Sequence, residues 1–429
     1  MKIRSLSLKN IGVFEDETIA FPENKEKGMA EIHILTGQNG TGKTTILQAL
    51  ASGFAEDKLL PQKLLKNLEK RFKSKSYNHI GINFNKWKYS HRTCTDSQYF
   101  KEFIADSEED KKNEFIKNGT LKEAFERLVA FAYSGYRFIE HEENINIKEK
   151  ENYNPLENAL EFNKTYGAND YTLNQWLANK MAKRNSAFFE GKKEDVEKFS
   201  KSIEYIKQII REIIGLPIDF KFETYKSKIV VAKEGIELDF DLLPDGLRSI
   251  ISWIGDLIMR MDALKWKDDL PIFEREFILF LDEIEVHLHP SWQRKILPVV
   301  QKLFKNAQIF ITTHSPFIVN SIDGAYIYEL DLDENGHSKV TEITISDSSK
   351  SYQNVIREVF EVSRFSEPLE KELKEFTDTR NDILLHKNID EKAFLNKAYQ
   401  LASRNDEVKN TILFELRQLS KKTGKEYAL

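Results

Sequence analysis

The segment Gly37-Gln38-Asn39-Gly40-Thr41-Gly42-Lys43-Thr44 fits G-x-x-x-x-G-K-[ST] at every fixed position, and Thr45 follows it. Glycines at this spacing let backbone N–H groups turn inward around phosphate oxygens. The next helix aims its positive end at the same oxygens. In that frame Lys43 reaches the β- and γ-phosphates and the Thr44 hydroxyl ligates Mg²⁺. Asn39, Gly40, Thr41 and Thr45 complete the phosphate-contacting set.

Two further segments could complete a phosphate-cleaving site. Phe277-Ile278-Leu279-Phe280-Leu281 is an apolar run ending in Asp282-Glu283. A buried parallel strand reads this way, and its carboxyl end is where α/β sheets hold ligands. Asp282 would hold Mg²⁺, and Glu283, one residue on, would polarise an attacking water as general base. Ile309-Phe310-Ile311-Thr312-Thr313-His314 then brings one histidine to the end of another apolar strand. His287 and His289 form His-x-His, but no third ligand is placed near them, and Pro290 suggests a turn opening a helix.

The elements that must position these groups follow from periodicity. Residues 2–8 alternate, Thr18–Phe21 and Glu31–Thr36 are strand-like, and residues 43–54 are helical. The strand–glycine loop–helix order is the context in which the phosphate motif has meaning. From Glu56 to Thr120 the chain is polar and is expected to be mostly helical, with one strand at His79–Phe84. Leu128–Tyr133 is another strand. Residues 141–153 look like a solvated linker, and 154–214 predict two or three helices without sustained heptads. Short strands follow near Ile218–Thr224, Lys228–Ala232 and Ile236–Phe240, then a helix over Leu247–Leu264. Trp292, Ile296, Val299, Val300 and Leu303 share one helical face. Ala307–Thr312, Ala325–Leu330 and Lys339–Ile345 complete the sheet, and everything beyond Ser346 is helical. The fold class is therefore α/β. Its core spans 1–54 and 217–346 with 79–85 and 128–137. Helical insertions at 55–127 and 138–216, and a helical region at 347–429, are added to it.

The 429 residues allow two or three domains, and 40% hydrophobic with 31% charged residues is ordinary for a folded protein. A net charge of −5 provides no global attraction to nucleic acid or an anionic membrane. The single cysteine, Cys94, cannot form an intramolecular disulfide. No segment approaches the roughly 20 apolar residues that cross a bilayer, and Met1-Lys2-Ile3-Arg4 opens no signal core. A cytoplasmic protein without membrane partners is expected.

Taken together, Asp282–Pro290, Trp292-Gln293-Arg294 and Thr312-Thr313-His314-Ser315-Pro316 resemble the ABC-type ATPases related to RecF, SMC and OLD proteins. More narrowly the chain is similar to ATPase subunits of anti-phage systems, first the PtuA family of Septu and retron systems, second the AriA family of PARIS. Lys2–Phe21 and Ala132–Arg137 carry the same resemblance. It implies an α/β P-loop ATPase head, ATP and Mg²⁺ as ligands, and His314 as the residue that senses the γ-phosphate. It also implies that Leu243-Pro244-Asp245-Gly246-Leu247-Arg248 is the signature segment that closes over ATP held by another copy. Gly246 would keep the backbone near that phosphate and Arg248 would reach it. Pro244 stands where the family has serine, so one hydroxyl donor is missing. No glutamine loop is evident, because Gln48 lies in the helix after the phosphate loop and Gln98 in an insertion; Arg137 could take its linking role.

The resemblance further implies a head-to-tail ATP dimer, a larger oligomer, and a separate effector such as an HNH nuclease (PtuB-like). Residues 351–422 are the candidate partner-binding helices, with buttressing of the ATPase as the alternative. A RecF- or SMC-like clamp that binds DNA or RNA directly is the rival reading, and salt-dependent affinity would mark it. A transporter's nucleotide-binding subunit is a third, disfavoured by the insertions.

Overall fold

The computed structural model describes residues 2–23, 28–54, 78–85, 87–93, 99–105, 129–135, 145, 153–162, 172–223, 228–233, 235–266, 269–360, 362–387 and 389–429. Strands β1 (Ile3–Ile11) and β2 (Phe14–Ala20) form a hairpin, followed by β3 (Glu31–Gly37) and helix α1 (Lys43–Ser52). Strands β4 (Asn78–Phe84), β5 (Trp87–Thr93), β6 (Tyr99–Ala105) and β7 (Val129–Tyr133) come next, then helices α2 (Leu173–Phe189) and α3 (Lys193–Ile214). Strands β8 (Asp219–Glu223), β9 (Lys228–Lys233) and β10 (Ile236–Asp239) lead into α4 (Asp245–Ala263). The order then runs β11 (Phe277–Leu281), α5 (Pro290–Leu303), β12 (Gln308–Thr312), α6 (Pro316–Val319), β13 (Tyr326–Leu332) and β14 (Ser338–Ile345). Helices α7 (Tyr352–Glu358), α8 (Glu367–Leu384), α9 (Glu391–Ala402) and α10 (Asp406–Thr423) end the chain.

The phosphate-loop strand is central. In the six-stranded sheet the order is β14-β13-β3-β12-β11-β7, parallel from β13 to β7 with β14 antiparallel at one edge. Every residue of β7, β11 and β12 is buried, as a parallel strand covered on both faces requires. A second sheet, β2-β1-β4-β5-β6, is antiparallel throughout. Ile3, Leu6 and Leu8 of β1, Ile46, Leu47 and Leu50 of α1, Ile80 and Ile82 of β4, and Phe280 and Phe310 share one core. The apolar face of α1 is thereby locked between the sheets. The Gln308 amide spans them too, accepting from Ile3 N at 2.7 Å and donating to Ile3 O at 2.9 Å. A three-stranded antiparallel sheet, β10-β9-β8, precedes α4.

One expectation is corrected. Between Glu56 and Thr120 the described residues form three strands, not helix with a single strand. Strand β4 pairs with β1, and β5 and β6 extend that sheet outward by backbone pairing. Strand propensity depends on context, so the pairing partner decides the conformation of such polar strands. Arg137, Cys94 and Gln98 lie outside the described residues.

The chain divides into two compact units, Met1–Val355 and Ile356–Leu429. The division falls later than residue 347 because Ser346 N still donates to Ala325 O at 2.8 Å and Asn320 Nδ2 to Lys350 O at 3.0 Å. The second unit has its own core, in which Phe376 and Phe394 stack at 4.7 Å beside Leu401, Ile412 and Leu416. Among the described residues no helix is long and apolar enough to cross a membrane.

Candidate active site

Strand register assembles the site. Leu281 is paired with Ile311 and Thr312 with Leu35, so the carboxyl ends of β3, β12 and β11 lie side by side. The residues that leave those ends are the phosphate loop, Thr312–His314 and Asp282-Glu283.

The loop's glycines have distinct reasons. Gly37, Gly40 and Gly42 take φ of 139°, 85° and 87°, values that other L-residues rarely adopt. A Cβ on Gly37 would lie 2.2 Å from Leu330 O, and one on Gly42 2.6 Å from the Phe14 ring. The β1–β2 hairpin and β13 thus hold the loop from outside. Gln38, Asn39 and Gly40 form its exposed rim. The Thr41 hydroxyl turns inward and donates to Gln38 O at 2.9 Å, while Ser338 Oγ donates to Thr41 O at 2.6 Å. Thr45 is half-buried in the first turn of α1.

Lys43 Nζ donates to Gly37 O at 2.9 Å and Gln38 O at 2.8 Å, which places the ammonium inside the loop. Burial lowers its pKa, opposed by the charges of Asp282, Glu283 and Glu285. The Thr44 hydroxyl lies 2.9 Å and 3.0 Å from the two Asp282 oxygens. A hydroxyl and a carboxylate gathered beside a phosphate loop are hard oxygen donors suited to Mg²⁺, so the donor set fits that ion. Asp282 is fixed from behind, because its N–H donates to Tyr133 O at 2.8 Å.

Glu283 sits in the left-handed region, φ 48°, where an L-residue stores strain. Its amide donates to Thr312 Oγ1 at 2.8 Å. Gly135 faces it, and a Cβ there would lie 3.0 Å from Glu283 Cβ. His314 is partly buried; burial and the nearby Lys43 cation lower its pKa, opposed by Asp282. The imidazole is therefore held neutral more strongly than a free histidine.

The sequence reading missed three contributors. Thr312 Oγ1 donates to Asp282 Oδ1 at 2.6 Å while accepting the Glu283 amide. Glu285 Oε1 accepts the His314 N–H at 2.5 Å. Gln293 of α5 accepts from Ser315 Oγ at 2.6 Å and donates to Leu288 O at 2.8 Å, bracing the turn after His314. The Trp-Gln-Arg run was visible, but its contact across β12 was not.

The proposed signature residues stand elsewhere. Gly246 lies in the first turn of α4, and a Cβ there would meet His287 O at 2.6 Å and the Trp292 ring at 3.0 Å. Contacts within its own chain therefore require that glycine, whatever a second copy adds. Arg248 Nη2 donates to Asp245 Oδ1 at 2.6 Å. His289 accepts from Ser291 N at 3.2 Å and caps α5 with Pro290 in its first turn, which explains that histidine without a metal. Among the described residues no group of three or more His, Cys, Asp or Glu could hold an ion together.

Residues 32–320, about two thirds of the chain, match the family described as "AAA domain, putative AbiEii toxin, Type IV TA system". The chain belongs to that family. Residues 1–54 also match a second AAA-domain family. This AAA-family chain is 21% identical to the Septu protein PtuA of Bacillus thuringiensis over 354 residues, 80% of this chain and 78% of that one. It is 28% identical to the retron Ec83 probable ATPase of Escherichia coli over 194 residues, 45% of this chain, and spans 34% of that protein's length. Among solved structures the SMC head domain of Thermotoga maritima is similar at 14% identity and a TM-score of 0.42, over 81% of this chain and all of that one. The fold is that of an α/β P-loop ATPase domain, with the motif-bearing strands at its centre.

Proposed function

We propose that the chain is the Mg-ATP-hydrolysing regulatory subunit of a bacterial anti-phage defence assembly and controls a separate effector nuclease. The observation that carries the ATPase part is the contact of Thr44 with both Asp282 oxygens. It joins a phosphate loop to a strand-end carboxylate 238 positions away, with Glu283 and His314 alongside. Mg²⁺, when bound, neutralises charge on the phosphates. Lys43 and the loop amides bind and orient the triphosphate, and Thr44 with Asp282 holds the metal. Glu283 accepts a proton from the attacking water, and neutral His314 offers a hydrogen bond at the γ-phosphate.

The defence role rests on similarity to Septu PtuA and a retron ATPase. Head-to-tail pairing would bring Gly246, Arg248 and the amides of the first turn of α4, which have no intrahelical acceptor, onto ATP held by a second copy. The compact unit Ile356–Leu429 is a self-contained platform for an HNH-type effector, with Leu385, Tyr399 and Phe414 exposed on it.

The test compares parent and Glu283→Gln proteins. The variant should bind ATP as the parent does, turn it over about 10²–10⁴-fold more slowly, and accumulate as the ATP-bound dimer. Turnover at the parental rate would remove Glu283 as the base. Co-purification with an HNH-type nuclease tests the effector part. Tight, salt-dependent DNA binding by the chain alone would instead favour a DNA clamp.

A further inference from the structure

We propose that Glu285 is a positioning residue that holds His314 in its working place. This rests on the reading that His314 serves ATP hydrolysis. Glu285 lies in the turn after β11, between two residues with left-handed backbone, Glu283 at φ 48° and His287 at φ 65°. Hydrogen bonds from Val286 N to Glu283 O at 3.2 Å and from Leu288 N to Glu285 O at 2.9 Å close that turn tightly. The turn returns the Glu285 side chain toward the end of β12. There Oε1 accepts the His314 amide at 2.5 Å, and the Thr313 hydroxyl bonds to the same carboxylate.

The His314 backbone is therefore held by a carboxylate contributed from the Asp282-Glu283 turn. Main-chain bonding of β12 to β3 ends just before it, where Thr313 N donates to Leu35 O at 3.2 Å. That carboxylate ties the His314 backbone to the segment that carries Glu283.

The rest of the carboxylate is an unusual thing to bury. Oε2 is shielded from solvent and has no hydrogen-bond partner among the described residues. Burial pushes the Glu285 carboxyl up, opposed by the bonds from His314 and Thr313, and the Glu283 charge adds to the rise. A half-satisfied buried carboxyl is unfavourable for folding. That cost is set against the placement of His314, which depends on the oxygen that accepts its amide.

The test is a double-mutant cycle in the full chain, reading kcat, ATP affinity and thermal unfolding. Glu285→Ala should lower kcat about 10–100-fold, as loss of a group orienting an active residue does, with ATP affinity within about twofold. His314→Ala should lower kcat at least as far. The double variant should then be no slower than His314→Ala alone, because a residue acting through His314 has nothing left to act on. Glu285→Gln keeps a carbonyl oxygen for the His314 amide and should retain most of the activity. If Glu285→Ala does not fold, Glu285→Asp takes its place in the cycle, since it draws the acceptor back by one methylene. Parental kcat in the single Glu285 variant, or multiplied losses in the double, overturns the inference and leaves His314 in its role. Parental kcat in His314→Ala removes the reading of His314 itself, and the inference with it.

Discussion

Thr312 Oγ1 stands 2.6 Å from Asp282 Oδ1 and 2.8 Å from the Glu283 amide, so one hydroxyl orients both acidic residues. It donates to the carboxylate proposed to hold the metal and accepts from the backbone of the proposed base. Thr312→Val preserves shape and removes both bonds. ATPase activity should fall about 10–100-fold, and half-saturation should require more Mg²⁺. Magnesium titrations at saturating ATP read this directly; an unchanged magnesium requirement would separate Thr312 from the metal site.

Lys43 is the side-chain cation inside the phosphate loop, held by Gly37 O and Gln38 O. Lys43→Ala should weaken ATP binding at least about tenfold, the range for hydrogen bonds to charged groups. Calorimetry gives the affinity and circular dichroism the fold. Parental affinity in a folded variant would mean that the loop does not hold the triphosphate.

His314 has a pKa below the ordinary histidine value of 6.5 through burial and the Lys43 cation. A lowered pKa keeps the imidazole neutral as pH falls, until the pH drops through the lowered value. The acid limb of kcat due to this group should therefore lie below pH 6.5. His314→Asn should be slower and should lack that limb. A limb of the same midpoint in both proteins assigns it to another group.

The composite site is testable by mixing, provided the variants are chosen from the structure. Gly246→Asp is unsuitable, because a side chain there strikes His287 O within its own chain. Arg248→Ala shortens a partly buried arm that bonds to Asp245, and it adds no side chain where the backbone has no room. Lys43→Ala and Arg248→Ala should each be inactive alone. Mixed, they should recover activity at up to about half of the sites in mixed dimers, since one interface then holds an intact loop and an intact arginine. Full activity in Arg248→Ala alone would end the claim of a shared site.

Tyr133 links the catalytic strand region to α4. Its hydroxyl donates to buried Asp256 at 2.7 Å, and Arg260 Nε donates to the same carboxylate at 2.8 Å. Tyr133→Phe leaves the ion pair in place but deprives the buried carboxylate of one donor. Stability should drop by about 1–3 kcal/mol, measured by urea unfolding. No loss would show that the other donors satisfy Asp256 without it.

Much of this site is legible in the sequence because its decisive parts are local. The run from Gly37 to Thr44 follows a buried strand directly, and the φ values its glycines need are a property of the loop itself. Asp282-Glu283 and His314 end apolar runs, and parallel strands buried on both faces leave chemistry only to their ends. The structure places all three segments side by side. The strands β5 and β6 were missed: Trp87, Tyr89 and His91 alternate with Lys88, Ser90 and Arg92, a strand signal set in a polar stretch, whereas Lys101 and Glu102 break the pattern in Tyr99–Ala105. Their conformation comes from pairing outward from β4.

By itself, then, the sequence singled out the candidates for cradling phosphate, holding a metal and taking a proton, because each choice depends on residue type and on its own short stretch of chain. Only the tertiary structure decided who supports them. Thr312 meets Asp282 through the register Leu281 to Ile311. Gly135 faces Glu283 because β7 lies beside β11. Glu285 reaches His314 because a tight turn folds it back onto the end of β12. Gly246 is required by His287 and Trp292, a contact across more than forty residues. Each of these is a meeting of distant segments, set by strand order and side-chain packing, and no local pattern encodes it.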